Sequence, residues 1–322
     1  MPTLPLRHTI AALLLGAVCA TTHAAAKQNN TIQAGGLQRQ YILVTPDRQP
    51  AGPRPLVLVL HGHLGTAANA LGNGRVPSPL SAWVGIADRE QILVAALQGL
   101  TGNDNHTGWH DCRTDATENP QVDDVAFARA VIDTLVKSGR ADPHRLYIMG
   151  MSNGAMMSLR LALELRPAPA AIAAVSGTMA EHSDCTSTAV PTSVLLIDGT
   201  DDPIVPYAGG KVGVKNHKTG VVTGAVATRD FWIKTDGLAG TPAVTSTFPH
   251  LNADDPTSAN KQTWGPNNGP QVSLITIQNG GHVEPSLRYH YGWLYSRLVG
   301  TQNKDFESAE EAWSFFKNKS SR

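Results

Sequence analysis

Residues Gly150-Met151-Ser152-Asn153-Gly154 form a G-x-S-x-G pentapeptide between a short apolar run, Leu146 to Met149, and a helix-like stretch that begins near Ala155. That setting makes Ser152 a candidate nucleophile. A serine on a tight turn between strand and helix is presented at the strand's end. Glycines two residues to either side leave room where larger side chains would strike neighbouring backbone. Five residues of this kind also occur by chance, so the weight lies in the strand before them and the helix after them.

Apolar runs of the same character recur in both directions from this point. Leu56-Val57-Leu58-Val59-Leu60, bounded by Pro55 and by His61-Gly62, suits a central strand buried on both faces. Ile92 to Leu97, Ile172 to Val175, Val194 to Ile197 and Val272 to Ile277 repeat the theme, and Arg39 to Val44 suits an early antiparallel strand. Between them Val125, Ala128, Ile132, Leu135 and Val136 recur at helical spacing behind Asp123 and Asp124, acidic groups that favour a helix N-terminus. Ser308 and Glu311 make a capping-box pattern ahead of Ala312, Trp313 and Phe316, which predicts a last helix with an aromatic face. Strands separated by helices imply an α/β fold with a mostly parallel sheet and helices on both faces. Residues 208–223 and 249–270, rich in Gly, Lys, Pro and Asn, read as long loops and are expected at the rim of a site.

The chain has 322 residues, 41% of them hydrophobic, and no net formal charge, which gives no electrostatic case for nucleic acid or an anionic membrane as partner. An uncharged or weakly charged small-molecule or oligomeric substrate fits better. Residues 1–26 read as a removable export signal: Arg7 and His8 precede the apolar run Ile10 to Ala20, and small residues follow, with cleavage expected after Ala24 or Ala26. Cys19 fits a lipid-attachment box poorly. Residues 27–322 are then one catalytic domain. No other stretch approaches the roughly 18 apolar residues of a membrane span, so a secreted or periplasmic soluble protein is expected. Export leaves Cys112 and Cys185 in an oxidising compartment, as a disulfide or as two separate buried thiols.

A serine nucleophile needs a base, and the base needs a partner that orients it and stabilises its cation. Two strand ends later in the chain offer both. Val194 to Ile197 runs into Asp198-Gly199-Thr200-Asp201-Asp202-Pro203, and Val272 to Ile277 runs into Asn279-Gly280-Gly281-His282. Alone, each has a bland reading, an acidic turn residue or a surface histidine. Together they place Ser152, Asp202 and His282 at successive strand ends in the order of an α/β-hydrolase, with Asp201 and Asp198 as alternatives for the acid. An oxyanion needs donors as well. His61-Gly62-His63-Leu64-Gly65, after the central strand, offers the His63 amide, and the residue after the nucleophile offers the Asn153 amide. His61 and His63 have no acidic or thiol complement at ligand spacing, so no metal and no cofactor is expected.

Leu60-His61-Gly62, Gly108-Trp109-His110-Asp111-Cys112, Val122-Asp123-Asp124-Val125, the serine pentapeptide with Ala155-Met156-Met157, Asp202-Pro203-Ile204-Val205-Pro206-Tyr207 and Gly280-Gly281-His282 stand in this order. As a set they resemble the polyhydroxybutyrate depolymerase and feruloyl esterase-like family of secreted serine esterases, from about Gln40 to Phe316. The resemblance implies an α/β-hydrolase fold and ester hydrolysis through an acyl-serine, with Ser152 as nucleophile, Asp202 as acid and His282 as base. It also implies a disulfide from Cys112 to Cys185. Hydroxyalkanoate oligomers or feruloyl and polysaccharide-linked esters are the implied substrates. Asp198 stands where the family usually has histidine, and Glu284 follows where an aromatic is common, which places Glu284 on a pocket wall unfavourable to anionic acyl groups. Trp109 is expected either as an aromatic wall for the substrate or as core beside the disulfide. An acyltransferase using the same triad and a non-catalytic binding module on this scaffold are the rival classes.

Overall fold

A computed structural model describes residues 25–48, 51–74, 78–186, 189–213 and 219–321; the expected export signal lies outside the described residues, apart from Ala25 and Ala26. The chain opens with β1 (Ala26–Ala34), β2 (Leu37–Thr45), β3 (Arg54–Leu60), α1 (Ala67–Ala70), α2 (Ala82–Glu90) and β4 (Leu93–Leu97). A short hairpin of β5 (Leu100–Thr101) and β6 (Thr107–Gly108) precedes α3 (Asp124–Lys137), β7 (Ala141–Met151), α4 (Asn153–Glu164), β8 (Ala171–Val175) and β9 (Ser193–Gly199). A second hairpin, β10 (Gly209–Lys211) and β11 (Val221–Thr223), leads to α5 (Ala225–Thr235), β12 (Val244–Thr247), β13 (Ser258–Trp264) and β14 (Val272–Gln278). Helices α6 (Trp293–Val299) and α7 (Ser308–Phe316) close the chain.

Ten strands form one sheet in the order β1-β2-β4-β3-β7-β8-β9-β14-β13-β12. The six central strands, from β4 to β14, run parallel, and an antiparallel pair flanks them on each side. Their apolar runs sort by alternation. Leu56, Leu58 and Leu60 face a core shared with Phe127, Val131, Met157, Leu161 and Trp232 of α3, α4 and α5. Val57 and Val59 face a second core with Trp83 and Ile86 of α2 and Trp313 and Phe316 of α7. Because parallel strands end at one edge, the loops after β3, β7, β9 and β14 converge there.

The expected helices form, with one difference at a cap. Asp123 caps α3, its carboxylate accepting from the Ala126 amide at 2.8 Å. The Ser308/Glu311 box does not close: Ser308 is already helical, its hydroxyl has no partner, and Glu311 instead takes Lys261 at 2.6 Å. The stretch 249–270 is not one long loop, since β13 runs through it as the second strand from the sheet edge. Its sequence, Ser-Ala-Asn-Lys-Gln-Thr-Trp, buries Ala259 alone, so periodicity gave no signal. Residues 208–223 carry the β10–β11 hairpin.

Candidate active site

Ser152 has φ of +56°, a left-handed conformation costly for a residue with a Cβ, and it is held there from both sides. Its amide donates to Val175 at the end of β8 at 2.8 Å, and its carbonyl accepts from Met156 in the first turn of α4 at 3.0 Å. The flanking glycines are required by contact. A Cβ on Gly150 would lie 2.1 Å from the Gly154 carbonyl oxygen, and one on Gly154 would lie 2.4 Å from that of Leu60. Strand, turn and helix therefore approach too closely for any other residue.

The turn after β14 brings His282 to this serine. His282 Nε2 lies 2.8 Å from Ser152 Oγ, and Nδ1 lies 2.7 Å from Asp202 Oδ2. The other carboxylate oxygen of Asp202 accepts from the amides of Ile204 and Val205, both at 2.8 Å. The His282 amide donates to Val299 at 2.5 Å, which ties the histidine to the end of α6. Of the three acids that sequence left open, Asp202 meets the histidine. Asp201 is exposed and bonds Thr200. Asp198 is buried, with one oxygen unpartnered. Burial and the charge of Asp202 push its carboxyl well above the usual range, against a hydrogen bond from the Gly177 amide. Asp198 lies buried beneath the site, in surroundings that favour its protonated form.

The loop after β3 folds over the serine as a turn closed by Gly65 N–H donating to Gly62 at 3.0 Å. A Cβ on Gly62 would stand 3.3 Å from the Met151 carbonyl, so the loop lies directly against the nucleophile turn. Buried His61 anchors it: Nδ1 donates to the Gly62 carbonyl at 2.8 Å and Nε2 accepts from the Gly99 amide at 3.0 Å. Desolvation pulls its pKa down to about 4, so the ring is neutral, as that acceptor role demands. The His63 side chain pairs with Asp104 at 2.7 Å.

Trp109 is not a wall of the site. It is 1% exposed, and its indole N–H donates to the His61 carbonyl at 2.8 Å while its amide donates to Asn153 Oδ1 at 2.7 Å. It therefore braces the loop after β3 against the residue after the nucleophile. Sequence reading assigned only the backbone of Asn153 and gave Asp111 no part. The Asn153 amide group donates to Asp111 Oδ2 at 2.7 Å and to the Trp109 carbonyl. Asp111 also accepts from Arg113 and Asn119. Burial would raise the Asp111 carboxyl, but the Arg113 charge and these donors hold it below the usual range. The next residue, Cys112, is bridged to Cys185 with a Cα separation of 5.2 Å.

Glu284 also departs from its expected place on a pocket wall. It is buried behind His282, its carboxylate accepting from the Tyr291 hydroxyl at 3.4 Å. Desolvation raises its carboxyl, with the charge of His282 pulling the other way. Among the described residues no helix is long and apolar enough to cross a membrane, and no group of three or more His, Cys, Asp or Glu residues is arranged to hold a metal ion.

Over residues 44–229, more than half its length, the chain matches the family described as Phospholipase/Carboxylesterase. It is 30% identical over 305 residues to the protein named "Putative esterase NocK" of Nocardia uniformis subsp. tsuyamanensis, covering 88% of this chain and 80% of that one. Feruloyl esterase B of Piromyces equi is 30% identical over 198 residues, 60% of this chain and 34% of its own length. Among solved structures, an acetyl xylan esterase from Aspergillus awamori superposes with a TM-score of 0.57 at 15% identity, covering 84% of this chain and 98% of that one, a likeness of fold. The chain belongs to the phospholipase/carboxylesterase family and is an esterase-type enzyme with the α/β-hydrolase fold.

Proposed function

We propose that this member of the family hydrolyses carboxylic esters through an acyl-serine intermediate, with Ser152 as nucleophile, His282 as base and Asp202 as the acid that orients it. The observation that carries the reading is the unbroken chain from Ser152 Oγ to His282 Nε2 at 2.8 Å and from His282 Nδ1 to Asp202 Oδ2 at 2.7 Å. Asp202 holds the proton on Nδ1, which leaves the Nε2 lone pair facing the serine hydroxyl. His282 Nε2 takes the hydroxyl proton of Ser152 as Oγ attacks the ester carbonyl, and the carboxylate stabilises the imidazolium that forms. The developing oxyanion meets the amides of His63 and Asn153, held in place by the neutral His61 ring and by Trp109. The imidazolium then protonates the leaving alcohol, and water, activated by the same base, cleaves the acyl-enzyme.

The names of the curated relatives favour feruloyl esters. The sequence motifs equally favour hydroxyalkanoate oligomers. The export-like N-terminus and the Cys112–Cys185 bridge support action outside the cytosol. The test is release of free acid from methyl ferulate and from hydroxybutyrate trimer, with Ser152→Ala as control. Wild type is expected to exceed the variant by roughly 10⁴-fold or more on its preferred ester. Equal inactivity of both proteins, on these esters and on short p-nitrophenyl esters, overturns the reading.

A further inference from the structure

The loop that carries the His63 amide has little of its own to hold it. Residues 62–65 are half-buried or exposed, and Leu64 stands at φ of +69°, a left-handed conformation that a residue with a Cβ keeps only where its surroundings impose it. His61 anchors the base of the loop, and the β5–β6 hairpin holds its tip. The Leu64 amide donates to the Thr107 carbonyl at 2.9 Å, and the Thr107 hydroxyl donates to the Gly65 carbonyl at 2.6 Å. From the hairpin's turn, Asp104 Oδ2 lies 2.7 Å from His63 Nε2.

The Asp104 carboxylate is itself fixed for this contact. Its Oδ1 accepts from the His106 amide at 3.0 Å, a bond local to the turn, which leaves Oδ2 for His63. The turn is closed by the Gly102 amide on the His106 carbonyl at 2.8 Å. Asn103 roots it, its amide and side chain donating to the carbonyls of Glu118 and Thr117 at 3.0 and 2.9 Å. The His106 ring meets the His63 ring edge-on, with centroids 5.9 Å apart.

The same hairpin reaches Asn153, the other residue whose amide faces the oxyanion. A Cβ on Gly108 would lie 3.1 Å from His63 Nδ1 and 3.0 Å from Asn153 Oδ1, so one backbone position stands against both side chains. The Trp109 amide then takes Asn153 Oδ1 at 2.7 Å. We propose that the β5–β6 hairpin sets the spacing of the two oxyanion donors and that Asp104 is a positioning residue acting through the His63 side chain, an inference that rests on the esterase reading above. Asp104 touches no reacting atom. Without its carboxylate the His63 amide is no longer held at the oxyanion, and a misplaced donor loses stabilisation made only in the transition state, so kcat falls while KM stays.

The experiment is steady-state turnover of p-nitrophenyl butyrate, with a thermal midpoint for each protein, by wild type, Asp104→Ala, His63→Ala, the double variant and Asp104→Asn. Asp104→Ala is expected to lower kcat about tenfold, with KM within about twofold of wild type. His63→Ala keeps the backbone donor, removes the imidazole and leaves the turn bond to His106 intact, so it reads the same contact even where Asp104→Ala disturbs the hairpin. Its loss is expected to match, and the double variant to fall no further, because each change cuts one shared contact. Asp104→Asn can bond the imidazole through either end of its amide and is expected to keep kcat within about threefold of wild type. A His63→Ala kcat within about twofold of wild type overturns the proposal. So do losses that multiply in the double variant, and an Asp104→Asn enzyme as impaired as Asp104→Ala. A rise in KM at unchanged kcat makes His63 a substrate contact and likewise overturns it. Failure of the esterase reading shows separately, as absent turnover by the wild type.

Discussion

Asp202→Asn tests the orientation of the base, because the structure fixes which way the new amide must face. Asp202 Oδ1 is held by two N–H groups, those of Ile204 and Val205, at 2.8 Å each, and Oδ2 faces His282 Nδ1 at 2.7 Å. In the variant the amide oxygen stays on the two backbone donors, so the NH₂ points at Nδ1. The imidazole must then accept at Nδ1 and carry its proton on Nε2, aimed at Ser152 Oγ, where it cannot act as base. Turning the amide over restores the tautomer but leaves two N–H groups without an acceptor, at about 1–3 kcal/mol each. The productive form is therefore disfavoured by about 2–6 kcal/mol, roughly 30-fold to 10⁴-fold, before the lost charge is counted. We expect kcat/KM on a soluble p-nitrophenyl ester to fall by about 10³ to 10⁴-fold, with the thermal midpoint within a few degrees. Asp198→Asn is the paired control. His282 bonds Asp202 and Ser152 and not Asp198, so an amide of the same shape at position 198 is expected to change kcat/KM by less than about threefold. An Asp202→Asn enzyme within tenfold of wild type, or an Asp198→Asn enzyme as impaired as Asp202→Asn, refutes the reasoning.

Two further outcomes follow from buried side chains. Asn153→Ala removes the acceptor of the Trp109 amide and one donor to Asp111, so we expect a loss of about 2–4 kcal/mol in denaturant unfolding. Because Trp109 also carries the His61 loop, kcat should fall at least tenfold with KM nearly unchanged; a fall in stability with kcat intact would show that the brace serves the fold alone. Asp236 has one oxygen on the Thr192 amide at 2.9 Å and the other unpartnered, and burial raises its pKa from 3.8 to about 7. Its folded pKa lies above its unfolded one, so it costs no stability below about pH 4 and lowers stability as pH rises to about 7, by up to a few kcal/mol. Asp236→Asn should remove that decline. Parallel stability-versus-pH curves for the two proteins between pH 4 and 8 would contradict it.

The parts legible in the sequence were those written in local pattern. Short unbroken apolar runs such as Leu56 to Leu60, bounded by Pro55 and His61-Gly62, suit strands buried on both faces, and a parallel sheet of such strands brings Ser152, Asp202 and His282 to one edge. The strand β13, next to the sheet edge, escaped because a strand that buries little has no hydrophobic period to read. The Ser308/Glu311 box misled because a cap depends on where the helix begins, and packing of Ala309, Ala312 and Trp313 sets that start one residue earlier.

The support of the site was hidden for another reason. Trp109 reads as an aromatic next to a cysteine, which fits a substrate wall as well as a core residue. The distinction lies in two hydrogen bonds, to the carbonyl of His61, 48 residues back, and to the side chain of Asn153, 44 residues on. No spacing rule encodes contacts of that range. They give the segment from Trp109 to Cys112 one physical task. The tryptophan ties the two loops that flank the nucleophile, Asp111 gathers Asn153, Asn119 and Arg113 into one buried charge network, and Cys112 fastens the segment covalently to Cys185. A strained serine at φ +56° persists only where its surroundings over-determine it. Beside the bonds to Val175 and Met156, this chain steadies the turn through Asn153 from a segment whose sequence looks like an ordinary loop.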